Sequence, residues 1–156
     1  MERVFKSIKL LPGGGARVIY KEVDGDYSVD HVVRSNYLVH PDLRSALQML
    51  RGHVVEIVGC KQKERLNVTG LVFGESNGLE WCIITLKIST DGGSVGLSTP
   101  KIGMEENPWE FDDMRSIVAA VSSEAIEYVG GKSAQQTFDF HGQEEPEKEE
   151  KKATKV

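Results

Sequence analysis

Apolar and polar positions alternate in short runs through the first quarter of the chain. Residues 4–11 (VFKSIKLL) and 16–23 (ARVIYKEV) are rich in apolar and β-branched side chains, and Pro12, Gly13, Gly14 and Gly15 separate them, which predicts a hairpin. Asp24, Gly25 and Asp26 make a second turn, and residues 27–33 (YSVDHVV) alternate loosely enough for a third strand. The period changes after His40. Pro41 suits the first turn of a helix and Asp42 complements its N-terminal dipole. Leu43, Ala46, Leu47 and Leu50 then fall at i, i+3, i+4 and i+7, one apolar stripe, with Gly52 as a stop. The next run, HVVEIVGC, is β-branched and reads as a fresh strand over 53–59, with continuation of the helix as the alternative.

The middle of the chain carries the clearest β pattern. Residues 66–73 lead into Glu75, Ser76, Asn77 and Gly78, whose Asn-Gly pair is a hairpin signature. Over 80–90, Cys82, Ile84, Leu86 and Ile88 alternate with Trp81, Ile83, Thr85, Lys87 and Ser89. A turn at Asp91, Gly92 and Gly93 precedes a short strand over 94–99, which completes a three-stranded meander with one buried face. Residues 111–129 form a last helix, with Met114, Ile117, Val118, Val121, Ala125, Tyr128 and Val129 on one face and Gly130 and Gly131 at its end. The expected fold class is α+β, a mostly antiparallel curved sheet or small OB-like barrel with one inserted and one C-terminal helix. A globular domain over 1–131 and a polar tail over 132–156 are the expected organisation.

Composition changes this picture in two places. The net charge of −5 is unevenly spread: +3 over residues 1–65, −6 over 66–132 and −2 over 133–156. A basic first half is a mild sign of a surface for polyanions, while the acidic total argues against a strong nonspecific duplex binder. Cys60 and Cys82 stand alone, no run of about 18 apolar residues is present, and no export signal is visible, so a reducing cytoplasm is the expected setting.

Catalytic and metal-binding patterns fail on spacing. Gly131, Lys132 and Ser133 resemble the end of a phosphate-binding loop, but Ile126 stands where the first glycine is required and a helix leads in. His31, His40, His53 and His141 share no ligand spacing with each other or the cysteines, so no metal or cofactor is expected. No base accompanies Cys60 beside Lys61 and Lys63, and the acids Asp112 and Asp113 suit a helix start. A non-enzymatic protein is the expectation. Binding residues are better represented. Lys6, Lys9, Arg17 and Lys21 lie on the first hairpin with Tyr20, Arg34 follows, and Lys61, Lys63 and Arg65 cluster in the loop CKQKER. Single strands are held by basic grooves with aromatic platforms, and these residues fit that description, as does a solvated strand face.

Beyond Gly131 periodicity is lost, and residues 143–156 are nearly all Glu, Lys, Pro and small side chains, a disordered composition. Within this tail the run QQTFDF at 135–140 resembles the short peptide by which replication and repair proteins dock on the bacterial sliding clamp. The resemblance implies Gln135 as polar anchor and Phe138 and Phe140 as apolar plugs, with Phe at the position where Leu is usual. Folding of the two rings against the body as a last strand is the alternative. A small α+β or OB-like body with such a tail resembles the phage-type single-stranded-DNA-binding proteins. That resemblance implies weak, nonspecific single-strand binding by the body, recruitment of a replication or recombination protein by the tail, no membrane partner, and room for homo-oligomers. An adaptor or inhibitor without nucleic-acid affinity is the alternative function.

Overall fold

The computed structural model describes residues 2–60, 62–103 and 108–133. Its strands are β1 (Glu2–Leu10), β2 (Ala16–Asp24), β3 (Tyr27–Ser35), β4 (Leu66–Ser76), β5 (Leu79–Thr90), β6 (Gly93–Ser98) and β7 (Ile102–Gly103); its helices are α1 (Pro41–Gln48), α2 (Arg51–Val58) and α3 (Pro108–Val129). The strands form one seven-stranded antiparallel sheet in the order β3-β2-β1-β4-β5-β6, with β7 pairing β5. It is curved and unclosed, an α+β fold and not the barrel alternative. Two register shifts, between Phe5 and Ser7 in β1 and between Val68 and Gly70 in β4, mark bulges in the central strands. Bulges bend the strand that carries them and increase its twist.

The hydrophobic pattern explains which face is covered. Phe5 and Ile8 of β1, Ala16, Val18 and Tyr20 of β2, Leu66, Val68 and Leu71 of β4, and Cys82, Ile84 and Leu86 of β5 are buried on one side. They share a single core with Leu43, Ala46 and Leu47 of α1, Leu50, Val54 of α2, and Phe111, Met114, Val118, Val121, Ala125 and Tyr128 of α3. The helices therefore pack on one face, and residues of opposite parity, Lys9, Arg17 and Lys87 among them, point the other way. Burial pushes the Cys82 thiol up to about 12.

Local chemistry fixes the elements. The backbone amide of Asp42 donates to His40 Nδ1 at 3.1 Å, which caps α1. At the β4–β5 hairpin, Asn77 (φ 54°) and Gly78 (φ 80°) both adopt the left-handed conformation that a primed two-residue turn requires. The expected strand over 53–59 is instead helix α2. Leu50 has helical backbone (φ −73°, ψ −13°), so the chain continues from α1 after a small offset, and Gly52 lies inside the second helix and does not stop the first. Gly59, left-handed at φ 72°, ends α2. The β-branched residues retain an apolar role there: Val54 is buried, and Val55, Ile57 and Val58 pack against the core. His53 Nδ1 contacts Glu110 Oε2 and ties α2 to the first turn of α3.

Lys132 and Ser133, just after α3, are tied to the body. The Lys132 ammonium reaches Glu124 at 3.0 Å, Glu127 at 3.2 Å and Asp42 at 3.2 Å, joining the end of α3 to the start of α1. Its hydrogen bond to Glu124 is the main cause that holds it well above the usual lysine range. Ser133 is buried and bridges Val39.

Candidate nucleic-acid interface

The uncovered face of the sheet carries a row of cations. The hairpin joining β1 and β2 sets Lys9 directly opposite Arg17, and the turn after Asp24 sets Arg17 directly opposite Arg34. Three positive side chains thus stand side by side on three adjacent strands. Cross-strand like charges destabilise a sheet, so folding alone gives no reason for this row. At the same end, Lys9 pairs in register with Gly70 of β4, and Asn67 of β4 pairs with Lys87 of β5. Gln48, in the last turn of α1, donates to the Val68 carbonyl at 2.9 Å and accepts from the Val68 amide at 3.3 Å. That clasp locks α1 against β4. Arg44, one turn before Gln48 on the same helix side, is thereby brought to the sheet's end.

These residues line one cleft of about 710 Å³, floored by Thr69 and Asn67 and bordered by Lys9, Arg17, Arg34, Arg44 and Lys87. The β1–β2 loop closes one side with Leu11, Pro12 and Gly14. Among the described residues no carboxylate lines it and none of its five cations is in an ion pair. The lining is therefore a field of one sign in a concavity, the arrangement that concentrates anions.

Of the residues expected from the sequence, Lys9, Arg17 and Arg34 meet in this cleft. Lys21 lies four residues along β2 from Arg17, roughly 13 Å away, and is opposite Asp30. Lys6 occupies the β1 bulge, and Lys63 and Arg65 form a short 3-10 turn before β4; none of the three lines the cleft. Tyr20 corrects the expectation of a stacking platform. It is 6% exposed on the helix-covered side, its ring stacks on His31 with centroids 5.0 Å apart, and Arg3 lies over it at 5.6 Å. Glu22 holds the same cluster by contacts to His31 at 2.7 Å and Arg3 at 3.6 Å. No base can reach that ring. Lys61, Gln135, Phe138 and Phe140 lie outside the described residues.

Arg44 and Lys87 are the cleft cations that sequence reasoning missed. Lys87 carried a signal, because alternation puts it on the polar side of β5. Arg44 carried none, since its place depends on the Gln48 clasp. Comparison of the chain with protein-family models, with curated proteins and with solved structures finds no match.

Proposed function

We propose that the protein binds single-stranded nucleic acid through its phosphate backbone, as a binding module and not an enzyme, with the cleft as the contact surface. The observation that supports this reading is the uncompensated cation row: five Lys and Arg side chains around one cleft without a carboxylate, in a chain of net charge −5. Positive charge is concentrated where the fold gains nothing from it. From β3 to β5 the row crosses four strand spacings, or roughly 19 Å, room for several consecutive phosphates. Among the described residues no aromatic ring lines the cleft, which favours backbone contact over base stacking and hence little sequence preference. Recruitment of a replication or recombination protein through Gln135, Phe138 and Phe140 is the second half of the proposal and rests on the sequence of the tail.

Fluorescence anisotropy with a labelled single-stranded oligonucleotide at several salt concentrations tests the reading. The expected result is binding at low salt that weakens steeply as salt rises, and loss of most affinity in a Lys9→Ala/Arg17→Ala/Arg34→Ala variant. Absence of binding at low salt, or equal affinity of the triple variant, overturns it. Tighter binding to a duplex of the same sequence would assign the cleft to double strands instead.

A further inference from the structure

We infer that the protein forms a two-fold symmetric dimer by antiparallel pairing of β3 with β3 of a second copy, in the register centred on Val32. Strand β3 is one of the two edges of the sheet, β6 being the other, and among the described residues only β2 pairs with it. An exposed edge offers a row of unpaired amides and carbonyls to another chain, and monomeric proteins blunt such edges with Pro, Lys, bulges or short length. β3 has no Pro, Lys, bulge or short length, and its two charged residues, Asp30 and Arg34, are of opposite sign. It is nine residues long, contains no Pro and no Lys, and runs in unbroken register with β2 from Tyr27 to Ser35. It also exposes apolar side chains: Tyr27 is 64% exposed, Val32 63% and Val29 42%.

The sequence of β3 is self-complementary in one register. In a two-fold pairing centred on Val32, Asp30 stands opposite Arg34 of the second copy, and Arg34 opposite Asp30 of the second copy. All four charges lie on the face that bears Val32, which meets its own copy at the axis. His31 then faces Val33, and exposed Tyr27 comes level with exposed Tyr37 of the second copy at both ends. Centring on His31 or Val33 leaves both charges opposite neutral residues, and centring on Asp30 or Arg34 sets like charges together. Opposite-charge cross-strand pairs stabilise and like pairs destabilise, so charge selects the Val32 register. A closed two-fold contact of this kind is isologous and uses up the edge. The axis is perpendicular to the sheet, so both cation clefts open on the same side of the dimer, with Arg34 at their inner ends. Asp30 of the same copy does not line the cleft, whereas in the dimer the second copy's Asp30 stands beside Arg34 at the cleft's inner end; the inference stands without the nucleic-acid reading.

Sedimentation equilibrium of the full chain, from roughly 1 to 300 µM, reads the association directly. The expected result is a reversible monomer–dimer equilibrium. Asp30→Arg should raise the dissociation constant by about tenfold or more, because two like-charge oppositions replace two favourable ones. The charge swap Asp30→Arg/Arg34→Asp should restore dimerisation, which no effect on folding alone would do; far-ultraviolet circular dichroism checks that each variant folds. A monomer at every concentration, as when residues 134–156 cover the edge, overturns the inference. So does a dimer insensitive to Asp30→Arg, and a swap that fails to rescue overturns the register.

Discussion

Arg17 is opposed by Lys9 on one side and Arg34 on the other, so removing its charge should move stability and binding in opposite directions. Each like-charge opposition destabilises a sheet by about 0.2–1 kcal/mol, and Arg17→Gln removes two of them while keeping most of the side-chain stem. The residue is exposed, so screening places the gain in the lower half of that range, about 0.4–1 kcal/mol in total. For a chain of this length that raises the melting temperature by about 1–4 °C. The gain should shrink at high salt, since exposed charges are screened over about 10 Å at 0.1 M. Binding should respond the other way. Five cations on phosphates give a log–log salt slope near −3.5 for a single strand, a loss of about 100-fold between 50 and 200 mM salt, and four cations give about −2.8, a loss of about 50-fold.

Scanning fluorimetry and anisotropy on the same samples check both halves, and Lys21→Gln is the internal control. Lys21 stands opposite Asp30, so its loss should lower the melting temperature slightly and leave the salt slope unchanged. A melting temperature that falls in Arg17→Gln, with affinity and slope intact, would refute the reasoning. The row would then be a stabilising feature and the cleft would hold no polyanion.

Other consequences follow from the core and the tail. The buried Cys82 thiol holds its proton up to about 12, against an ordinary value of 9.0, so the folded protein keeps a proton that the unfolded chain releases. Its stabilising contribution is complete below pH 9 and declines by up to ~1.4 kcal/mol per pH unit towards 12; Cys82→Ala should flatten that alkaline slope in urea unfolding. In thiol titration of the native protein Cys60 should react and Cys82 should not. Gly70→Ala places a Cβ against Thr85 Oγ1 and 2.7 Å from the Ile8 carbonyl oxygen, between β1, β4 and β5, and should cost about 1–3 kcal/mol in chemical denaturation. If QQTFDF docks a partner, Phe138→Ala/Phe140→Ala should leave the melting temperature within about a degree of the original, whereas rings packed on the body would contribute about 1.5–3 kcal/mol each. Truncation to test the tail should keep Ser133, because that residue bridges Val39.

The elements that the sequence reveals are those decided locally. Four hairpin turns have their chemistry in two to five consecutive residues, and the alternation in β5 follows from burial on one face, so β1 to β3 and the β4–β6 meander fall where the pattern puts them. The run at 53–59 shows where local information ends. His53, Val54, Val55, Ile57 and Val58 suit a strand by propensity, yet the helical backbone at Leu50 and the left-handed Gly59 enclose them in a helix whose apolar side meets the core. Propensity differences of a few tenths of a kcal/mol per residue cannot outweigh burial of that kind.

The cleft divides along the same line. Loops of five residues after Leu10 and two after Asp24 fix the hairpin registers, and from those registers alone Lys9, Arg17 and Arg34 must stand in a row. The same parity puts Tyr20 with Ala16 and Val18 on the buried side, so its failure as a stacking platform was legible too. For Lys87 only the facing was legible, and for Arg44 nothing was, because both join the row through contacts made far apart in the chain. Lys87 arrives because β1 pairs β4 at Ser7 and Val72, a register that depends on bulges in both strands. A bulge adds one residue and reverses the facing of everything beyond it, so without those two shifts the alternation would point Lys9 or Asn67 into the core. Arg44 arrives because one glutamine amide satisfies both backbone groups of Val68. Local turns thus place three of the five cations, and two bulges and one side-chain clasp place the other two. For this reason a variant that disrupts the Gln48 clasp, such as Gln48→Leu, should weaken nucleic-acid binding without removing any charge.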